Sequence, residues 1–481
     1  MNQMQPEKRR VGTIIIGAGI SGLSCAYELS RLCPDMKIRI LERESRAGGV
    51  IKTLRKDGLL FECGPESFST LKPEVMSLAA SLNIRQRVIS TAESNRRSFV
   101  SLNGELHALP DGFMMIAPSN LWSFAKSKIF SLQGKLRMAM DMAIPACTAS
   151  EDESLSSFVR RRLGDEALTK LAEPMIGGIY GGDPDLLSAS CTIPQLVQLE
   201  KKYGSIIRGL MEGKKKESAA TKSAGPRYGV LASFDEGISV LSDNILKALP
   251  DSCLQLSKDV MHISSGRNGC RWNVLCADNS SYDADFIVLA TPAEHAGVIL
   301  SEINPLVSDK LYKIRRSPAI IINIVYNSEQ IKRNLNGFGF VVPRVEGTVI
   351  SACSFSSIKF EGRSGSDKVL MRIFTGGSLK SNVMEHTDSE LLRICHEELQ
   401  KLLQIEGQPV MHVISRYDAA IPQYMVGHAA LVEQIEEDLR LSPGIYLAGN
   451  SYTGVGLPDC VKSGMSAAKV ISEMAKQLTA S

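Results

Sequence analysis

The fold is decided by the stretch VGTIIIGAGISGLSCAYELSRLCPDMKIRILE, Val11 to Glu42. Val11 to Ile16 is β-branched and uninterrupted, the pattern of a strand buried in a parallel sheet. Gly17 to Gly22, GAGISG, is a GxGxxG, and Gly22 to Leu32 reads as a helix. Lys37 to Leu41 (KIRIL) reads as a second short strand. Alone, a GxGxxG is a weak signal. Here it follows a buried strand and opens a helix, the context that gives it meaning. Gly17 permits the tight turn, Gly19 lets the backbone approach a pyrophosphate, and Gly22 lets helix and strand pack closely. Ile20 and Ser21 open the helix, whose N-terminus offers N–H donors and a positive dipole end to phosphates. Glu42 ends the second strand about twenty residues past Gly22, the expected place for a carboxylate on ribose hydroxyls.

Further glycine-rich elements gather around this start. Arg43 neighbours the ribose acid, and Arg46-Ala-Gly-Gly49 supplies more backbone and a cation near the pyrophosphate. The run Phe61 to Phe68 carries Gly64, Pro65, Glu66 and Ser67 and reads as another backbone turn near the same site. At the far end, Leu447-Ala-Gly449-Asn450 ends a strand, and Gly454-Val455-Gly456-Leu457 leads toward a helix from about Asp459 to Leu478. Two helix N-termini from opposite ends of the chain, converging on one cofactor, suit FAD better than NAD.

Composition sets the bounds. With 481 residues, 44% apolar and 22% charged, the chain can bury a large core and is neither disordered nor fibrous. A net charge of +3 gives no global footprint for nucleic acid. Eleven cysteines, scattered and without a CxxC pair, argue against a disulfide framework and a structural zinc site. They suit a reducing compartment, so a cytoplasmic protein is expected. The glycines in Val11 to Tyr27 fit a strand-turn-helix better than a signal peptide. No run long enough for a transmembrane helix is present.

Between these ends, the stretch from about Ser90 to Asp185 has mostly helical spacing. Gly204 to Arg227, with GKKKESAATKSAGPR, reads as an exposed loop. Strand signals return at Cys270 to Leu275 and Asp285 to Ala290. The runs IIINIVY, GFGFVVP, VISACSF and VLMRIF between Ile320 and Phe374 predict an antiparallel or mixed sheet. The expected fold is α/β: a discontinuous Rossmann-like FAD-binding domain (1–90, 226–300 and 438–481), an inserted α-helical domain (91–184), and a mixed or antiparallel-sheet substrate domain (185–225 and 301–437).

These residues resemble the flavin amine-oxidase superfamily, and within it the protoporphyrinogen oxidase family, including its coproporphyrinogen-oxidising branch. The resemblance runs from about Gly12 to Gln477. It is carried by the RAGG element, CGPESF (Cys63 to Phe68), EPMIGGIYGGDPDLLS (Glu173 to Ser188), SFDEGISVLSDNI (Ser233 to Ile245), NGFGFVVP (Asn336 to Pro343) and the GVGLPDC turn. It implies an FAD-dependent oxidase of haem biosynthesis that removes six electrons from protoporphyrinogen IX and passes them to oxygen, giving hydrogen peroxide. Coproporphyrinogen III is the alternative substrate. No catalytic acid or base is implied, because the flavin carries the chemistry.

The resemblance assigns Arg97, or its neighbour Arg96, to a substrate propionate, and Gly178 to a close approach of backbone to the reacting site. Val341 and Phe374 fall to an apolar pocket, Val260 to adenine, and Val455 to Leu457 to the flavin ring. No metal is implied. Oxygen and a porphyrinogen are the expected partners, with ferrochelatase as a further one. The inserted helical domain is the part that faces the bilayer in membrane-bound relatives. Gly112 to Ala125 (GFMMIAPSNLWSFA), followed by Lys126 and Lys128, is a candidate for peripheral contact with the inner membrane face. Two alternatives stand beside this reading: another flavin oxidase acting on amines or carotenes, and a non-enzymatic escort or GDP-dissociation-inhibitor protein.

Overall fold

The computed structural model describes residues 12–92, 97–110, 113–114, 116–147, 151–220, 231–266 and 269–480. The first strand, Gly12–Ile16, lies at the centre of a five-stranded parallel sheet, as its unbroken β-branched run predicts. The strand order is Leu254–Gln255, Lys37–Leu41, Gly12–Ile16, Phe286–Leu289, Ile445–Leu447. Ile15 pairs with both Ile40 and Val288, which fixes the register. Strands from distant parts of the chain thus form one nucleotide-binding unit.

Both faces of that sheet are covered. On one, Ile15, Ile40 and Val288 pack against Leu23, Leu241 and Val461, from the helices Ile20–Leu32, Ser239–Ala248 and Leu457–Ala480. On the other, Ile14, Ile16 and Ile287 pack against a three-stranded antiparallel sheet (Val260–Ser265, Trp272–Cys276, Ser281–Ala284) and the helix Ala293–Leu300.

The strand runs expected between Ile320 and Phe374 form a second, seven-stranded sheet. Its order is Met411–Pro422, Arg316–Asn327, Lys368–Gly376, Ala352–Ser354, Gly339–Val341, Phe99–Leu102, Glu105–Ala108. All neighbours are antiparallel except Gly339–Val341 beside Phe99–Leu102. The helix Asp388–Leu403 covers one face through Leu391, Cys395 and Leu399. A third unit is built of helices, among them Leu155–Leu163, Glu173–Tyr180 and Pro194–Tyr203. At its heart Arg162 and Asp141, both fully buried, form an ion pair, and Glu200 lies 3.5 Å from the same guanidinium.

Two expectations are corrected. The stretch 91–184 is not wholly helical, because residues 99–108 form a hairpin that extends the seven-stranded sheet. Its turn is Asn103-Gly104, with φ of 53° and 75°, the left-handed pair that suits the strand twist. The stretch 204–227 is not a loop throughout: Ile206–Ala220 is a helix, held where Ile206 and Leu210 enter the helical core. The remainder, 221–227, lies outside the described residues.

Candidate active site

The nucleotide cradle is built from glycines with separate reasons. Gly17 has φ +102°, and a Cβ there would stand 2.7 Å from the carbonyl oxygen of Ala290. At Gly22 a Cβ would stand 2.0 Å from the carbonyl oxygen of Gly17. At Gly19, by contrast, a Cβ would meet nothing within 4 Å. Packing does not require that glycine, so the open space beside it is room for a ligand. Gly19 is also the N-cap of the helix Ile20–Leu32 and donates no side-chain cap, which leaves the first-turn N–H groups of Ile20, Ser21 and Gly22 for an anion.

The other glycine elements come to this turn. Gly48 donates its N–H to the Ala18 carbonyl at 2.8 Å. A Cβ on Gly49 would be 3.1 Å from the Gly19 Cα. Arg46 bonds the carbonyls of Ala47, Gly49 and Ile51, so this cation first shapes its own loop. Arg43 is exposed and pairs with Glu44. Glu42 is buried, and its carboxylate accepts the N–H of Ala18 at 2.7 Å and of Glu44 at 2.9 Å. These bonds aim the acid beside the glycine turn, with lone pairs left for ribose hydroxyls. The Glu42 carbonyl accepts the N–H of Lys258 at 2.8 Å, which brings Val260, two residues on, to the ribose end.

The C-terminal turn arrives by helix packing. A Cβ on Gly464 would lie 2.0 Å from the Ser21 carbonyl oxygen, so Leu457–Ala480 crosses the first helix at its opening turn. Leu457 joins the core that holds Ala18 and Ile20. Gly454 has φ +82° and, with Gly456, lies against Asp459. Val455 packs toward the helical unit, against the same core as Val341. The residues read as binding one dinucleotide therefore converge from both ends of the chain, and they fit FAD.

The segment Phe61 to Ser67 has a role that its motif did not announce. It fastens the second sheet onto the nucleotide unit. The carbonyls of Glu62, Cys63 and Gly64 accept from Asn323, Tyr417 and Arg372 at 3.1, 3.0 and 2.5 Å. Gly64 leaves no room for a side chain, since a Cβ would be 1.9 Å from the Val50 carbonyl oxygen. Glu66 has protein partners for its carboxylate. It commits it to Ser356, Lys359 (3.0 Å) and Arg372 (3.6 Å). Burial alone would raise this carboxyl, but Lys359, Arg372 and Ser356 outweigh it and hold it at about 2. Pro65 and Ser67 lie half-buried in the same segment.

Above this seam stands the expected substrate row. Phe374 pairs with Ala352, and Ala352 with Val341, so the three stand side by side across three strands. They share a face with Arg372, two residues before Phe374, and its guanidinium lies 5.0 Å from the Phe374 ring. This is the face turned to the nucleotide unit, opposite the one covered by Asp388–Leu403. Ala352 escaped the sequence reading, although alternation in VISACSF marks it.

Gly178 lies inside the helix Glu173–Tyr180, which ends at Gly181 in the left-handed region. It lines a small cavity of about 60 Å³ at the strand ends next to the row, together with Val342 and Ser351. Arg97 is exposed at the start of Phe99–Leu102, and its carbonyl accepts the N–H of Phe338 at 2.8 Å. Arg96 lies outside the described residues, as do Gly112 and Met115 of the candidate membrane segment. Among the described residues no helix is long and apolar enough to cross a membrane.

Comparison with known proteins settles the family. The model of the flavin-containing amine oxidoreductases matches residues 20–472. The chain belongs to that family. It is an oxidoreductase, and FAD is its cofactor. The chain is 31% identical, over 94% of its length and 96% of theirs, to the coproporphyrinogen III oxidase of Bacillus subtilis (strain 168). It is 28% identical to protoporphyrinogen oxidase 2, chloroplastic/mitochondrial, of Arabidopsis thaliana, over 95% of this chain and 93% of that one. Among solved structures, a provisionally named protoporphyrinogen oxidase from Exiguobacterium sp. 255-15 superposes with a TM-score of 0.84 at 28% identity, covering 97% of this chain and all (100%) of that one.

Proposed function

We propose that this flavoprotein oxidises a porphyrinogen to the porphyrin, the macrocycle giving up six electrons and six protons while three dioxygen molecules become three hydrogen peroxide molecules. The observation that carries the reading is the apolar row Val341, Ala352, Phe374. It is a flat apolar wall across three strands, facing the nucleotide unit, with cations beyond it at Arg97 and at Arg344. Such a wall suits a broad planar ring with acidic arms. It offers little to a small amine.

When bound, FAD supplies a two-electron acceptor that oxygen can regenerate. The chain's own residues do the positioning. Glu42 and the first-turn N–H groups would hold the dinucleotide, and the turn Val455 to Leu457 would lie toward its flavin end. The Glu62–Glu66 seam fixes the substrate wall relative to that ring, so that one meso carbon at a time is presented. Arg97 anchors a propionate through its guanidinium fork. Nothing in the scheme needs a side-chain base. The test is incubation of the purified yellow protein with each porphyrinogen, following porphyrin fluorescence and peroxide. Three peroxides per porphyrin are expected, and no porphyrin above a protein-free blank would contradict the reading.

Protoporphyrinogen IX is the first expectation from the sequence. Coproporphyrinogen III is favoured by a specific observation, the second group of cations at the cavity beside the row. Peripheral contact with a lipid surface belongs to the same proposal. Trp122, Leu132, Leu136 and Met140 are 79%, 74%, 61% and 54% exposed, the last three at four-residue spacing on one face, with Lys126 and Lys128 nearby.

A further inference from the structure

The cavity beside the substrate row has a feature that packing does not explain. Gly177 and Gly178 stand side by side inside the helix Glu173–Tyr180, and a Cβ on either would meet nothing within 4 Å. A glycine in a helix interior is disfavoured relative to alanine. Their neighbours Gly181 and Gly377 have a structural reason, since a Cβ on Gly377 would lie 2.7 Å from the Gly181 carbonyl oxygen. Gly177 and Gly178 only keep space open, and they keep it open toward charge. Arg344 and Lys380 line the same cavity, as does Glu173. Among the described residues Arg344 makes no salt bridge and no side-chain hydrogen bond. Lys380 spends one donor on the Thr348 carbonyl at 2.8 Å and keeps two. Glu173 is pushed up by burial, with Arg344 and Lys380 opposing, and Glu398 also favours the charge of Lys380 against the burial that lowers it.

The place of these cations along the sheet matters. Arg97 lies beside Phe338, before the strand Gly339–Val341, and Arg344 lies after it. From Phe338 to Arg344 the chain takes six steps (344 − 338) in roughly extended form, about 20 Å at ~3.3 Å per residue. The apolar row lies between.

We propose that Arg344 and Lys380 form a second carboxylate site, which holds the acidic arms that coproporphyrinogen carries and protoporphyrinogen lacks. The inference rests on the porphyrinogen reading. Protoporphyrinogen IX has its two propionates on neighbouring pyrroles, so one end of the wall satisfies both. Coproporphyrinogen III has a propionate on every pyrrole and places carboxylates at both ends. The cavity is thus a specificity element, and it selects the four-carboxylate substrate.

The experiment measures kcat/KM for both porphyrinogens with the FAD-loaded wild type, Arg344→Ala, Lys380→Ala and Arg344→Lys. The quantity read is the ratio of coproporphyrinogen to protoporphyrinogen efficiency. A lost charge-assisted contact lowers that ratio about tenfold in either alanine variant, mainly through KM, and Arg344→Lys restores part of it. Gly178→Leu, which fills the cavity without removing charge, lowers the same ratio. An unchanged ratio, whether both efficiencies hold or fall together, overturns the inference while leaving the porphyrinogen reading intact. If the wild type turns over neither substrate, that reading fails and the inference falls with it.

Discussion

Gly19 and Arg97 carry the residue-scale account, and they test separate parts of it. A Cβ at Gly19 meets no protein atom within 4 Å, so a substitution there is expected to leave the fold intact and to fill ligand space. Gly19→Val is therefore expected to give a folded but colourless protein with an unchanged circular dichroism spectrum. A preparation that stays fully yellow would remove the pyrophosphate from this turn. Arg97→Ala is expected to keep FAD and to lower porphyrinogen kcat/KM about ten- to a hundredfold, the cost of a guanidinium–carboxylate contact. Unchanged efficiency would move the anchor elsewhere. Gly17, Gly19 and Gly22 were legible in the sequence because their reasons are local, a turn and a helix start within a few residues, and Glu42 was legible at the end of the next strand. Arg344 and Lys380 were not, because a cavity made by a helix end and two strand ends leaves no trace in spacing. Glu66 was legible as part of a motif, but its partners Lys359 and Arg372 lie about three hundred residues away, so its role was not.

Elements were read best where their periodicity was long. The run Ile320 to Tyr326 stands where its pattern puts it, inside the strand Arg316–Asn327. The hairpin 99–108 was missed although Asn103-Gly104 is a strong turn signal, because its short strands sit beside a long helical region and pair with a strand more than two hundred residues on. The helices Leu121–Ala125 and Leu132–Ala139 carry the surface prediction. Trp122, Leu132 and Leu136 point outward with lysines alongside, which suits an anionic bilayer. The wild type is expected to sediment with anionic vesicles and to be released by salt. The double change Leu132→Asp and Leu136→Asp is expected to leave it in the supernatant with turnover of dispersed substrate retained. Full recovery of the wild type in the supernatant would contradict the surface reading.

At the scale of the molecule, the nucleotide unit and the substrate sheet must keep one alignment, and a buried polar seam sets it. Glu66 is the acid at its centre, held at about 2 in the folded protein against 4.5 without partners. A depressed carboxyl stabilises the fold fully above about pH 4.5, and that contribution is lost as the pH falls toward 2. Its size is on the order of 3 kcal/mol. Glu66→Gln also strands Lys359 and Arg372 in a buried site, so a loss of about 3–5 kcal/mol is expected at pH 7. Thermal unfolding checks both points: the gap between wild type and variant should be wide at pH 7 and narrow on acidification. A gap that is the same at every pH would place the stabilisation elsewhere.

The seam exists, on this account, to set a porphyrinogen against bound flavin, and anaerobic mixing tests that most directly. With oxygen removed, adding coproporphyrinogen III to the yellow protein is predicted to bleach the oxidised-flavin absorbance within the turnover time, and admitting oxygen to restore it with porphyrin released. Flavin that stays oxidised with both coproporphyrinogen III and protoporphyrinogen IX, while a simple amine bleaches it, would contradict the account.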